Sequence, residues 1–171
     1  MAKSIRRTGG LDMIEDLVLS LQALLNVSRT YADIANGTTN GKLKTLADVS
    51  FGIGSAVYKK AATDDLWTLS GIATMSTGQY RAVTLYLDSA GTATIDSGTI
   101  AASAALALAA APVIPATKSI IGVFVAGPST NFGNALTSQG TLYHGIPAGY
   151  GTRNVPLSPA GVGDYPSTVA P

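Results

Sequence analysis

The side chains that could carry out acid–base catalysis are few in this sequence. Two carboxylates able to cleave a glycosidic bond could come from Asp64, Asp65, Asp88 and Asp96, and the first two could offer oxygens to calcium. All four lie in predicted turns or at strand ends, where aspartate commonly bonds to nearby main-chain N–H groups. Adjacent acids also lack the alternating spacing of calcium-binding loops. We therefore expect these aspartates to form turns, and a glycosidase is the weakest of the functional hypotheses.

Nucleophilic catalysis and metal binding have little support. His144 is the only histidine and cysteine is absent, so a nucleophile has one candidate base and a zinc site lacks ligands. His144 comes at the end of a predicted strand, and we expect an edge or interface residue there. Gly52 and Gly54 resemble part of a dinucleotide-binding loop, but the third glycine and the following helix are missing. The sequence predicts a protein that is not an enzyme, with no catalytic, cofactor-binding or metal-binding residues.

The composition and the net charge limit the classes of molecule that the chain could bind. The chain has 171 residues, of which 46% are apolar and only 12% charged, with a net charge of +1. A typical soluble domain has about 25% charged residues, so we expect partner proteins to cover much of this surface. The near-neutral balance argues against nucleic acid or an anionic membrane as the main ligand. We expect no signal peptide, because acids open the first apolar run, and no transmembrane segment, because Ala101–Ile114 is too short.

The segment Gln79–Ile95 gives the strongest structural signal. Val83, Leu85 and Leu87 alternate with other residues at the period of a strand. Asp88–Gly91 then holds turn formers, so a β-hairpin is predicted. A hairpin is not stable alone in water, and we expect further strands to pack around it. These are predicted at residues 48–53, 56–61, 64–69, 119–126 and 141–144, with 119–126 central in a sheet and Trp67 in the core.

The N-terminal part of the chain is predicted to contain one amphipathic helix. Residues 1–10 are interpreted as an arm, and residues 12–26 as a helix whose apolar stripe has heptad spacing. The stripe consists of Ile14, Leu17, Leu21 and Leu24. Two alternatives stay open, because the helix could pack on its own domain or associate with other copies. Residues 29–45 include Asn36–Gly41, whose composition is typical of a loop or linker, and a domain boundary is placed there.

The C-terminal part combines an uncharged helix with an extended arm. Residues 99–111 are rich in Ala and Leu, which predicts a helix that ends at Pro112 and is buried against a sheet, against another subunit, or both. From residue 146 onward, Pro and Gly recur without any period, which indicates an arm that becomes ordered on a partner. Candidate partner-binding anchors in this arm are Tyr150, Val155, Leu157 and Tyr165.

These elements predict a mainly β fold of the α+β class. We expect a compact antiparallel β-sandwich or barrel-like domain, with one Ala-rich helix, an N-terminal helix and an extended C-terminal arm. The predicted organisation is an N-terminal arm and helix at residues 1–44, a β-rich domain at 45–145 and the C-terminal arm at 146–171.

The block from Tyr58 to Gly145 resembles small structural proteins of tailed-bacteriophage virions. The resemblance is carried by YKKAATDDLWTLSG, QYRAVTLYLDSAGTATI, an Ala-rich run, IPATKSIIGVFVAGPSTNF and QGTLYHG. It covers about half of the chain, and its motifs are compositional more than chemical.

This resemblance implies a capsid cement (decoration) protein, which stabilises a phage head by binding across subunits of the major capsid protein. Proteins of that kind are often homotrimers, so self-association is also implied. The implied location is the surface of the virion head, after assembly in the host cytoplasm. The alternative is a head-fibre or tail-fibre module that attaches to another fibre or binds a receptor. No catalytic residue, nucleic acid or membrane partner is implied.

Overall fold

The computed structural model describes residues 28–147 and Tyr150. These residues form mostly β-structure, with antiparallel sheets packed against one another, which confirms the mainly β prediction. The predicted arm at 1–10, the helix at 12–26 and the C-terminal arm beyond Pro147, Tyr150 excepted, lie outside the described residues.

The described chain has nine strands and one helix. In chain order they are β1 (Ile34–Asn36), β2 (Lys42–Thr45), β3 (Val49–Ile53), β4 (Ala56–Lys60), β5 (Trp67–Thr68), β6 (Arg81–Asp88), β7 (Ala93–Ser97), α1 (Ala104–Ala109), β8 (Lys118–Ala126) and β9 (Gly140–His144). They form a four-stranded sheet in the order β7-β6-β8-β9, a three-stranded sheet β1-β2-β5 and the hairpin β3-β4. The predicted strands and hairpins of residues 48–144 are therefore confirmed.

The main sheet is built around the predicted hairpin. The Asp88 carboxylate accepts hydrogen bonds from the main-chain N–H groups of Ala90 (2.9 Å) and Thr92 (2.8 Å), which closes the turn between β6 and β7. Gly91 has φ +75°, a conformation that favours glycine. Strand β8 lies between β6 and β9, and its residues from Ser119 to Ala126 are buried, as predicted for a central strand.

A β-bulge in β8 changes which of its side chains share a face of the main sheet. Leu85 pairs with Gly122 whereas Tyr86 pairs with Ile120, so Ile121 is an extra residue. Ile121 and Phe124, three residues apart, consequently pack in the same core, while Ile120 packs in the other. Regular alternation would place Ile121 and Phe124 on opposite faces, so the bulge shifts the alternation by one residue.

The larger core lies between the main sheet and the two smaller sheets. It contains Phe51 from β3, Leu43 from β2 and Trp67 from β5, all buried against β6 and β8. Trp67 is 1% exposed, which confirms its predicted place in the core. The smaller core covers the other face, where α1 contributes Leu108 and the C-terminal chain contributes Tyr150. The described residues thus form three layers, with the main sheet between the two small sheets on one face and α1 on the other.

The prediction of a linker at residues 29–45 was wrong. These residues contain β1 and β2, and Ile34 and Leu43 are buried in the larger core. The Asn- and Gly-rich stretch is the tight connection between the two strands, where Gly41 has φ +74°. The amino-acid composition predicted the turn correctly. It could not predict the two short strands, because they are stabilised by distant partners such as Trp67, which pairs with Leu43.

The predicted helix at 99–111 is shorter than expected. It spans Ala104–Ala109, and the Ser103 hydroxyl caps it by accepting a hydrogen bond of 3.3 Å from the N–H of Leu106. Ala101 instead exchanges two main-chain hydrogen bonds of 2.9 Å with Tyr80, which holds the preceding chain extended. Ala107 and Leu108 are buried, and Leu108 packs on the main sheet, which confirms the predicted burial against a sheet, whereas Leu106 is 57% exposed.

Candidate functional site

Asp64 and Asp65 hold a loop in place. Their carboxylates accept hydrogen bonds from the main-chain N–H groups of Thr38 (3.1 Å) and Thr39 (3.0 Å), and also from the hydroxyls of these threonines. The Nζ atom of Lys44 lies 3.8 Å from Oδ1 of Asp64, and the Nζ atom of Lys42 lies 3.6 Å from Oδ2 of Asp65. The hydrogen bonds from the threonine hydroxyls are the main reason that the pKa of each carboxyl lies below its ordinary value. These carboxylates are therefore acceptors in a structural network.

Asp88 and Asp96 do not form a close pair. Asp88 closes the β6–β7 turn, and hydrogen bonds from main-chain N–H groups hold its pKa below the ordinary value. Asp96 is exposed on β7 opposite Thr84, four residues along β6 from Asp88, a separation of about 13 Å along the strand. The turn-forming role predicted for Asp64, Asp65 and Asp88 is confirmed by these hydrogen bonds. Within residues 28–147 and Tyr150, no three His, Asp or Glu side chains are grouped so that they could hold a metal ion.

His144 is the last residue of the edge strand β9, as predicted. Its ring centre lies 4.0 Å from that of Tyr31. Its Nδ1 is buried and has no hydrogen-bond partner among the described residues. Burial lowers the pKa of the imidazole, and the nearby charge of Asp33 opposes this effect. The neutral ring is therefore favoured, in a position that packs against another side chain.

Tyr150 is buried in its own chain, which corrects its interpretation as an anchor for a partner. It is 5% exposed, and its Oη lies 2.9 Å from the Thr84 hydroxyl and donates to the Pro112 carbonyl at 2.7 Å. Burial raises the pKa of Tyr150 and of the neighbouring Tyr86, so both hydroxyls stay protonated. Sequence reasoning missed this contact because an isolated aromatic in a Pro- and Gly-rich stretch has no periodicity to mark it.

Ser28 and Gly145, which are far apart in the sequence, bond to adjacent peptide units of β8. The N–H of Ser28 donates to the carbonyl of Ile120 (2.9 Å), and that of Gly145 donates to the carbonyl of Ile121 (2.8 Å). Ser28 also forms an antiparallel bridge with Phe51, so it connects the main sheet to the β3–β4 hairpin. We call this arrangement, which comprises Ser28, Ile120, Ile121 and Gly145, the junction.

The junction is the candidate functional site because both predicted partner-binding segments attach there. The remaining candidate residues lie outside the described part of the chain. They are Ile14, Leu17, Leu21 and Leu24 on the N-terminal side, and Val155, Leu157 and Tyr165 on the C-terminal side. No sequence signal identified the junction, since it depends on one residue that bridges two sheets.

Among the described residues, no helix is both long and apolar enough to cross a membrane. No protein-family model matches the chain, and no curated protein or solved structure is significantly similar to it.

Proposed function

We propose that the chain is a non-enzymatic structural protein of a tailed-bacteriophage virion, and specifically a capsid cement protein. It would act on the head surface as a homotrimer, bound across subunits of the major capsid protein after assembly in the host cytoplasm. The observation that supports this most is the junction, where Ser28 and Gly145 bond to adjacent residues of a rigid central strand. A body of this kind fixes the start of the N-terminal segment at Ser28 and that of the C-terminal segment at Tyr150, and the C-terminal segment can contact neighbouring subunits.

The chemistry of the body is consistent with a mechanical role. The hydrogen bonds of Asp64 and Asp65 lock a loop, and those of Tyr150 fix the C-terminal chain on the main sheet. A chain segment that spreads apolar anchors over a large area can bind tightly although each contact is weak. We assign this role to Val155, Leu157 and Tyr165, which follow the fixed residue Tyr150.

The test compares virions that carry the chain with virions assembled without it. The measurement is the temperature at which the genome is released, and we expect this temperature to fall when the chain is missing. Addition of the purified full chain should restore it. A Val155→Asp/Leu157→Asp variant should not restore it, whereas the matched Thr152→Asp variant in the same segment should.

Two results would contradict the proposal. Genome release at the same temperature with and without the chain would exclude a cement function. Electron microscopy of labelled chain would exclude the head surface if the label lay on the tail, and it would then favour the fibre or adaptor alternative.

A further inference from the structure

The layer formed by residues 97–117 carries no charged side chain. These 21 consecutive residues lie between Asp96 and Lys118 and include α1 with its flanking loops. Three aliphatic side chains in this layer are largely exposed, namely Ile100 (46%), Leu106 (57%) and Val113 (61%). No charged residue stands between these side chains in the sequence, and a segment of this composition favours association with another apolar element.

An unassigned apolar stripe ends four residues before Ser28 of the junction. Residues 12–26 carry the heptad stripe of Ile14, Leu17, Leu21 and Leu24, and only Leu25, Asn26 and Val27 separate Leu24 from Ser28. Two heptads are too few to specify a coiled coil by themselves, so this stripe requires another apolar surface.

The junction places Ser28 close to the uncharged layer. Ser28 donates to the carbonyl of Ile120, and the side chain of Ile120 packs in the smaller core together with Leu108 of α1. Ser28 also bridges Phe51 of the larger core, so it lies at the edge of the main sheet, within reach of both faces. The four residues from Leu24 to Val27 can span at most about 14 Å, which is enough for a helix at residues 12–26 to lie against the body from its attachment at Ser28.

We propose that the apolar stripe of residues 12–26 packs on the uncharged layer of residues 97–117 in the same copy of the chain. Attachment at Ser28 favours the same copy, because a short connection keeps the segment at a local concentration of about millimolar beside the layer. The layer would then be an internal docking surface, and the exposed side chains of α1 would become part of the core.

The absence of cysteine allows a direct test in the full-length chain. Cysteine is introduced at Leu17, Leu21 or Leu24, and each is paired with Leu106→Cys. The matched controls pair the same three positions with Val57→Cys, which is also exposed but belongs to β4 beyond the larger core. After mild oxidation of dilute protein, we expect at least one Leu106 pair to form an intramolecular disulfide about tenfold faster than its Val57 control.

Two results would overturn the proposal. Disulfide formation no faster than in the Val57 controls would show that the stripe does not lie on the layer. Covalent dimers in place of intramolecular bonds would show that a second copy covers it.

Hydrogen exchange provides a second measurement that needs no cysteine. A Leu17→Gln/Leu21→Gln variant should exchange faster than the unmodified chain within residues 97–117, with β6 and β8 unchanged. The matched Asp16→Gln/Ala23→Gln variant changes the same segment away from its stripe and should leave this exchange as it was. Equal exchange in all three proteins would also contradict the proposal.

Discussion

The indole N–H of Trp67 donates a hydrogen bond of 3.0 Å to the main-chain carbonyl of Tyr86, from one sheet to another. Tyr86 is also a residue at which the pairing between β6 and β8 changes register. The only tryptophan of the chain thus ties the β1-β2-β5 sheet to the main sheet at its bulge. This contact joins two elements that local sequence signals predict separately.

Trp67→Phe should destabilise the fold. The substitution leaves the buried carbonyl of Tyr86 without this donor, which costs about 1–3 kcal/mol in the free energy of unfolding. Urea denaturation followed by circular dichroism measures this change. Leu46→Ala, at an exposed position, should change the free energy by less than about 0.5 kcal/mol. Equal stability of the Trp67→Phe variant and the unmodified protein would show that the hydrogen bond has no net effect.

Gly122→Ala should also destabilise the fold, because the bulge leaves no room for a methyl group. A Cβ at this position would lie 2.6 Å from Ile34 Cδ1 and 2.7 Å from the carbonyl oxygen of Tyr143. Overpacking of this kind costs about 1–3 kcal/mol. The matched control is Gly71→Ala, where no atom lies within 4 Å of the added Cβ, and the urea midpoint should stay the same or rise. Similar midpoints for both variants would contradict the close approach at Gly122.

The strands of the body could be predicted because their apolar residues alternate or run together. Val83, Leu85 and Leu87 have the period of a strand, and they pack in the larger core as this period requires. The turn at Asp88–Gly91 was equally clear, since both its acid and its glycine have the roles that such residues take in turns.

Elements that depend on distant partners could not be predicted in this way. Ile34 and Leu43 lie in strands of only three and four residues, and such strands have too few residues to show a period. Helix propensity alone gave a helix through Ala101, but the hydrogen bonds of Ala101 with Tyr80 hold the chain extended. The junction, in turn, depends on Ser28, whose neighbours in the sequence do not identify it as a bridge between sheets.

Tyr150 should contribute strongly to stability, although it lies in the predicted C-terminal arm. Tyr150→Phe removes the hydroxyl that bonds to the Thr84 hydroxyl and the Pro112 carbonyl, and we expect a loss of about 1–3 kcal/mol. Tyr150→Ala also leaves a cavity in the smaller core, which raises the expected loss to about 3–5 kcal/mol. Tyr31→Ala is the matched control, because Tyr31 is 64% exposed. If Tyr150→Ala were no less stable than this control, residue 150 would not pack on the main sheet in solution.

Stability should decrease as the pH falls through the range in which histidine titrates. Burial lowers the pKa of His144 in the folded state, so below about pH 6.5 the unfolded chain binds a proton more readily than the folded one. The resulting stability is present above the unfolded pKa and is lost as the pH falls toward the folded pKa. Because His144 is the only histidine, urea midpoints between pH 7 and pH 5 report mainly on this residue. The aspartates with lowered pKa values, Asp64 and Asp65 among them, lose their contributions only below about pH 4. His144→Gln should therefore flatten the dependence between pH 5 and 7, and an unchanged slope in this variant would assign the effect to another group.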